Sequence, residues 1–176
     1  HSYHDVITSK PATSMHLEQD VWYQPEDLYK AWDNMVSATD ELGASHLFRY
    51  DLVDVTRQSL QVLSIKFYND MMTGFRNKDI HTVMRSGAEL LEVLEDLDRL
   101  LATCDQFLLG RWIESAKSHG TNNDEKKLYE YNARNQLTLW GPTGNHLDYA
   151  NKQWSGMISR YYRPRWELFI EELRIA

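Results

Sequence analysis

The chain has 176 residues, enough for one domain with a sizeable hydrophobic core and no need of a second. Hydrophobic residues make up 42% and charged residues 26%, near the globular averages, which excludes a disordered chain; no apolar run approaches the roughly 18 residues that cross a bilayer. A net charge of −7 argues against nucleic acid, whose phosphates are held mainly by Lys and Arg, so any acidic polymer must be recognised locally. Cys104 stands alone, which rules out an internal disulfide and any cysteine-based zinc cluster. There is no Asn-x-Ser/Thr acceptor and no basic-then-apolar leader, so a targeting signal is expected to lie outside this chain.

In chain order, residues 1–21 are polar, aperiodic and interrupted by Pro11, and read as a connecting segment. His1 and His4 have ligand-like spacing, but a connector is a poor frame for metal geometry. Residues 22–176 read as a helical domain. Pro25 suits a first helical position, Glu26 and Asp27 suit the positive helix end, and Leu28, Trp32, Met35 and Val36 form a stripe that stops at Gly43. A long helix is expected from about Phe48 to Arg76. An amphipathic one should follow Lys78, with Ile80, Met84, Leu91, Leu94, Leu97 and Leu101 on one face and acids from Glu89 to Asp98 on the solvated face. After the Phe107–Gly110 stretch, a short helix near Arg111–Ser118 and another over Asp124–Leu139 are expected, then a loop at Gly141-Pro142-Thr143-Gly144. Helices near Leu147–Tyr161 and Pro164–Ile175 complete the prediction. With no period-2 strand and no fixed repeat, the expectation is an all-α, irregular bundle of six or seven helices.

Few patterns carry chemistry. No Glu-x-x-His pair suggests a di-metal site in a bundle, and no nucleophile elbow or phosphate loop is present. The residues alone therefore indicate no catalytic group, no metal and no cofactor. The distinctive region runs from Tyr129 to Trp166. It holds three of the six Trp and five of the ten Tyr beside Asn132, Asn135, Asn145 and Asn151, and aromatic faces with amides nearby suit sugar rings as well as helical packing.

Several stretches go further. Phe48-Arg49-Tyr50-Asp51-Leu52-Val53-Asp54-Val55-Thr56-Arg57-Gln58, Phe107-Leu108-Leu109-Gly110-Arg111-Trp112 and Asn132-Ala133-Arg134-Asn135-Gln136-Leu137-Thr138-Leu139-Trp140-Gly141-Pro142 are three of them. Leu147-Asp148-Tyr149-Ala150-Asn151-Lys152-Gln153-Trp154 and Tyr161-Tyr162-Arg163-Pro164-Arg165-Trp166 are two more. Together they resemble the C-terminal region of glycoside hydrolase family 89, the α-N-acetylglucosaminidases, from about Trp22 onward.

The resemblance implies an exo-acting, retaining enzyme that removes terminal non-reducing α-linked N-acetylglucosamine, notably from heparan sulfate. In that family two catalytic glutamates sit on a (β/α)8 barrel of the same polypeptide, absent from this sequence, so the chain alone is expected to hydrolyse nothing. It also looks truncated at both ends by comparison with the family. The implied partners are that barrel and the glycan, with no nucleic acid and no membrane; a homo-oligomer is admitted but not required. Animal members are lysosomal, bacterial ones secreted or periplasmic.

By resemblance, Trp140 is an apolar wall for the sugar and Tyr149 a hydroxyl-bearing neighbour. His146 falls where relatives can carry an aliphatic pocket residue. Arg57 and Arg134 are expected to be structural, with Asp54, one turn before Arg57, as its carboxylate partner. The competing expectation is a free-standing helical module that binds a protein or glycan without catalysis.

Overall fold

The computed structural model describes residues 5–15, 23–144 and 146–176. His1, His4, Trp22 and Asn145, all singled out above, lie outside the described residues. Seven α-helices are present among those described: α1 (Pro25–Ser37), α2 (Thr39–Leu42), α3 (His46–Arg76), α4 (Ile80–Leu101), α5 (Leu109–Lys117), α6 (Asn123–Leu137) and α7 (Arg163–Ile175). No strand occurs among them, only a single parallel bridge between Leu108 and Ser155. No described helix is long and apolar enough to cross a membrane.

The α3–α4 hairpin is the spine, and local chemistry explains both helix starts. The Ser45 hydroxyl accepts from the Phe48 amide at the head of α3. Asp79 caps α4 by accepting from the Thr82 amide at 3.2 Å and its hydroxyl at 2.7 Å. Along α4, Val83, Leu90, Leu94, Leu97 and Leu101 are buried while Glu92 and Glu95 face water. Each such leucine contributes about 1.5–3 kcal/mol relative to leaving it exposed. At the crossing of α4 with α7 the backbone comes so close that a Cβ on Gly87 would sit 2.9 Å from Ile170 Cγ2. Trp166 and Tyr162, wholly buried, fill the centre; the Trp166 ring meets Tyr68 edge-on at 6.1 Å.

Five departures from the sequence reading matter for function. The stripe from Pro25 to Gly43 is split at Ala38 into α1 and α2, with α1 fastened to α3 by a hydrogen bond from Trp32 Nε1 to Thr56 Oγ1 at 3.0 Å. The expected helix over Leu147–Tyr161 does not form. Asp148, Asn151 and Gly156 all have positive φ, which no helix accommodates, so the stretch is turns and coil until Met157.

From Met157 onward the chain is helical without a break into α7, and Pro164 lies inside this helix instead of starting a new one. A proline cannot donate to the carbonyl four residues back and its ring crowds that oxygen; here a π turn over Ile158–Tyr162 widens the register just before it.

Asp98, placed on the solvated face of α4, instead turns toward this helix. Its Oδ1 accepts from the amides of Gly156 (2.8 Å) and Ser159 (3.1 Å), capping the helix start.

The fifth departure is the connecting segment. Its described part, 5–15, is packed against the domain, with Val6 and Ile7 fully buried. Asp5 makes this possible by accepting from the Thr8 amide (2.8 Å) and hydroxyl (3.0 Å), so a polar turn satisfies itself as it enters the core. Further along, Tyr68 donates its hydroxyl proton to the Ala12 carbonyl and accepts from the Met15 amide, both at 2.9 Å. Aperiodicity marked this stretch as lacking a helix, and it carries no information on burial.

Candidate functional site

The residues that resemblance placed against a sugar are presented by two linked turns after α6. That helix begins at Asn122, whose side chain accepts from the Asp124 and Glu125 amides at 3.0 Å each, and ends at Leu137. Asn135, in the last turn, closes it. Its carbonyl accepts from the Trp140 amide at 2.8 Å, and its side-chain oxygen accepts from the Gly141 amide at 2.7 Å. This clamp holds Trp140 at φ 50, a left-handed conformation that costs a residue with a Cβ about 1–2 kcal/mol. Three of the four described non-glycine residues with positive φ fall in this region: Trp140, Asp148 and Asn151. Strain concentrated in this way is expected where presentation of side chains matters more than local stability.

The second turn is joined to the first by a hydrogen bond from the Asp148 amide to the Thr138 carbonyl at 2.8 Å, and is closed by the Tyr149 amide donating to His146 O at 3.1 Å. Trp140 and Tyr149 consequently meet with ring centroids 5.1 Å apart at 43°, and His146 lies 6.2 Å from Tyr149. All three are exposed, Trp140 by 44% and Tyr149 by 63%, and Leu139 and Leu147 are exposed beside them. Together they make an aromatic and apolar corner open to water. It offers stacking faces, a phenol and an imidazole.

Beneath the corner the surroundings are polar and enclosed. Asp148, 7% exposed, accepts from Arg165 Nη1 at 2.5 Å, and Arg165 Nη2 donates to the Thr8 carbonyl at 3.2 Å. The guanidinium lies over the rings of Tyr161 (4.7 Å) and Tyr162 (5.1 Å). Burial first, and then the Asp148 carboxylate, push the Tyr161 phenol up to about 12, while Arg165 pulls the other way. Tyr162 is raised in the same sense and for the same leading reason. Burial also pushes the Asp5 carboxyl up, against the hydrogen bonds from Thr8 and the Gln153 side chain.

Arg57 donates to Asp54 through Nε (3.0 Å) and Nη2 (2.7 Å), and through Nη1 to Gln153 Oε1 at 3.2 Å. Gln153 donates in turn to Gln61 at 2.8 Å, so α3 grips the chain just after the aromatic corner. Arg134 is on the surface of α6, paired with Glu130 at 2.9 and 2.7 Å. Neither arginine is part of the corner. The sequence reading gave no role to Asp148, Arg165 or Gln153. Asp148 and Arg165 stood inside recognised motifs, and the available signal was an unpaired acid and an unpaired base there, each next to an aromatic residue.

A separate apolar groove of about 620 Å³, lined in part by Trp32, Phe48, Leu52, Val53 and Leu100, shares no residue with the corner. Among the described residues no group of three His, Cys, Asp or Glu could hold a metal ion. Asp148 is committed to Arg165, so the corner offers no pair of free carboxylates for bond cleavage.

This geometry can be set beside known proteins. Human alpha-N-acetylglucosaminidase is 42% identical over 161 residues, which is 91% of this chain and 22% of the human one. A family 89 glycoside hydrolase from Clostridium perfringens in complex with PUGNAc superimposes with a TM-score of 0.91 at 29% identity, covering 97% of this chain and 21% of that one. A variant of the Clostridium perfringens enzyme in complex with its substrate GlcNAc-alpha-1,4-galactose gives 0.92 at 29% identity, over 98% and 21%. The chain thus spans about a fifth of the length of these relatives. All of its residues, 1–176, match the family described as the alpha-N-acetylglucosaminidase (NAGLU) C-terminal domain, and with the helical fold and the relatives in agreement, the chain belongs to that family.

Proposed function

We propose that this domain forms one wall of the substrate cleft in an exo-acting, retaining α-N-acetylglucosaminidase, with Trp140, Tyr149 and His146 facing the terminal N-acetylglucosamine. The bond chemistry belongs to two glutamates on a catalytic barrel of the same polypeptide. Residues 1–21 connect the helical domain, 22–176, to the rest of that polypeptide. Trp140 stacks on the apolar face of the sugar, Tyr149 exchanges hydrogen bonds with its hydroxyls, and His146 brings a polar edge where relatives can be aliphatic. Arg57 and Arg134 are scaffold residues. The substrate class is α-linked N-acetylglucosamine at a non-reducing end, as in heparan sulfate, and the compartment is the lysosome if the source is an animal.

The observation that carries this reading is the exposed corner itself: two rings 5.1 Å apart, held by a strained and clamped backbone, with stacking chemistry and no acid pair of its own. Such a surface suits a site completed by another part of the protein. The test is Trp140→Ala in the full-length polypeptide, assayed by release of an aryl group from an α-N-acetylglucosaminide. A loss of about 10- to 100-fold in kcat/KM is expected, equivalent to about 1.4–2.7 kcal/mol of transition-state binding, with the fold retained. Unchanged kinetics would remove Trp140 from the site. Immunodepletion separates the free-standing module: activity that leaves an extract with a polypeptide several times heavier than this chain supports the enzyme, whereas a small target with activity left behind supports the module.

A further inference from the structure

Arg165 links two parts of the chain that are far apart in sequence and both buried. One is the Asp5–Ser9 turn, through a hydrogen bond from Nη2 to the Thr8 carbonyl; the other is Asp148, through Nη1. Asp148 directly precedes Tyr149, and its own amide is bonded to Thr138, two residues before Trp140. A single guanidinium therefore sits behind both presenting turns. We infer that Arg165 is a positioning residue: by fixing Asp148 to the buried Asp5–Ser9 turn, it sets the angle at which Tyr149 and Trp140 are offered to the sugar. This rests on the reading that the corner faces substrate.

Three features favour positioning over plain stability. Asp148 adopts φ 59, so the pair holds a conformation the backbone would not choose unaided. Asp148 Oδ1 and Arg165 Nε are buried without a hydrogen-bond partner, as is the Tyr162 hydroxyl beneath them. A core selected for stability alone is better served by apolar packing than by a buried ion pair left incompletely satisfied. Finally, the site needs arginine in particular. Its planar fork reaches two acceptors in different directions while its face lies on Tyr161 and Tyr162; a lysine ammonium, a single point charge, cannot do both.

The test uses the full-length enzyme with Arg165→Lys, which keeps the charge, and Asp148→Asn, which removes it with a residue that tolerates positive φ. Arg165→Lys is expected to lower kcat/KM by about 10- to 100-fold, as small misplacements of binding groups do. Backbone amide exchange should quicken at residues 146–151 and stay unchanged in α3 and α4. Combined with Tyr149→Ala, it should cost much less than it does alone, because the two act through one contact.

Full additivity with unaltered exchange in the loop overturns the inference, as does exchange that quickens throughout the domain. If Arg165→Lys fails to fold, Asp148→Asn is read by the same three measurements. Loss of activity in Trp140→Ala and Tyr149→Ala, with Arg165→Lys like wild type, sinks the positioning role alone. Wild-type kinetics in Trp140→Ala and Tyr149→Ala sink the reading of the corner, and the role of Arg165 with it.

Discussion

The α3–α4 hairpin and the stretch from Thr138 to Gly156 are built on opposite terms. The hairpin is regular, capped at both helix starts by local side chains, and buries a leucine ladder whose spacing is set by the helix itself. The second region has almost no regular structure. Its shape comes from the Asn135 clamp, the Arg165–Asp148 pair, the Gln153 contacts with α3 and the bridge through Ser155, and it carries strained residues and exposed rings. The contrast teaches that regular buried packing and strained, exposed rings are held by different kinds of interaction in one small domain.

The strongest way to break that division is to remove the shared centre. Trp166, on α7, is fully buried against Tyr68 of α3, and Trp166→Ala is expected to cost about 3–5 kcal/mol, enough to unfold a marginal domain. Denaturant melts followed by circular dichroism would show it, and a cost under about 1 kcal/mol would mean the core is not where the packing places it. Next comes the crossing of α4 and α7: Gly87→Ala forces a methyl against Ile170 and should destabilise by about 1–3 kcal/mol, with the aromatic corner untouched.

At the corner the effects should separate stability from activity. Trp140→Gly relieves the positive φ that Trp140→Ala retains, so the glycine variant should be about 1 kcal/mol more stable than the alanine one while both lose activity alike. Equal stability would show that the strain is not held there.

The smallest effect concerns Asp5. Its carboxyl is raised by burial, so its contribution to stability is complete below the ordinary carboxyl range and is lost as pH rises through the folded value. Asp5→Asn keeps an acceptor for the Thr8 amide and removes the buried charge. Thermal midpoints taken from about pH 4 to pH 7 should fall less with rising pH than in wild type, and the variant should be the more stable at neutral pH. A parallel pair of curves would show that Asp5 does not titrate in this window.

What could be read ahead of the structure follows the same division. The register of Leu94, Leu97 and Leu101 announces α4 because a helix repeats its environment every few residues, although Ile80 and Met84, expected on the same face, are exposed while Val83 and Leu90 are buried; Pro25 and Asp124 mark helix starts by chemistry local to them. Trp140, His146 and Tyr149 could be nominated only by resemblance; their convergence depends on two turns closing onto each other. Leu147–Tyr161 misled because Leu147, Ala150 and Trp154 fall at helical intervals, whereas the conformations of Asp148 and Asn151 are imposed by the surroundings.

By itself, then, the sequence determined the all-α class, the main helices and the family, since these rest on periodicity and on side chains acting within a few residues of one another. Only the tertiary structure decided that Asp5–Ser9 is buried, that Asp98 caps a helix 58 residues away at Gly156, and that Arg165 lies behind the aromatic corner. Those are pairings between polar groups remote along the chain. Their free energy depends on mutual geometry and burial, and neither is written in any local stretch of residues.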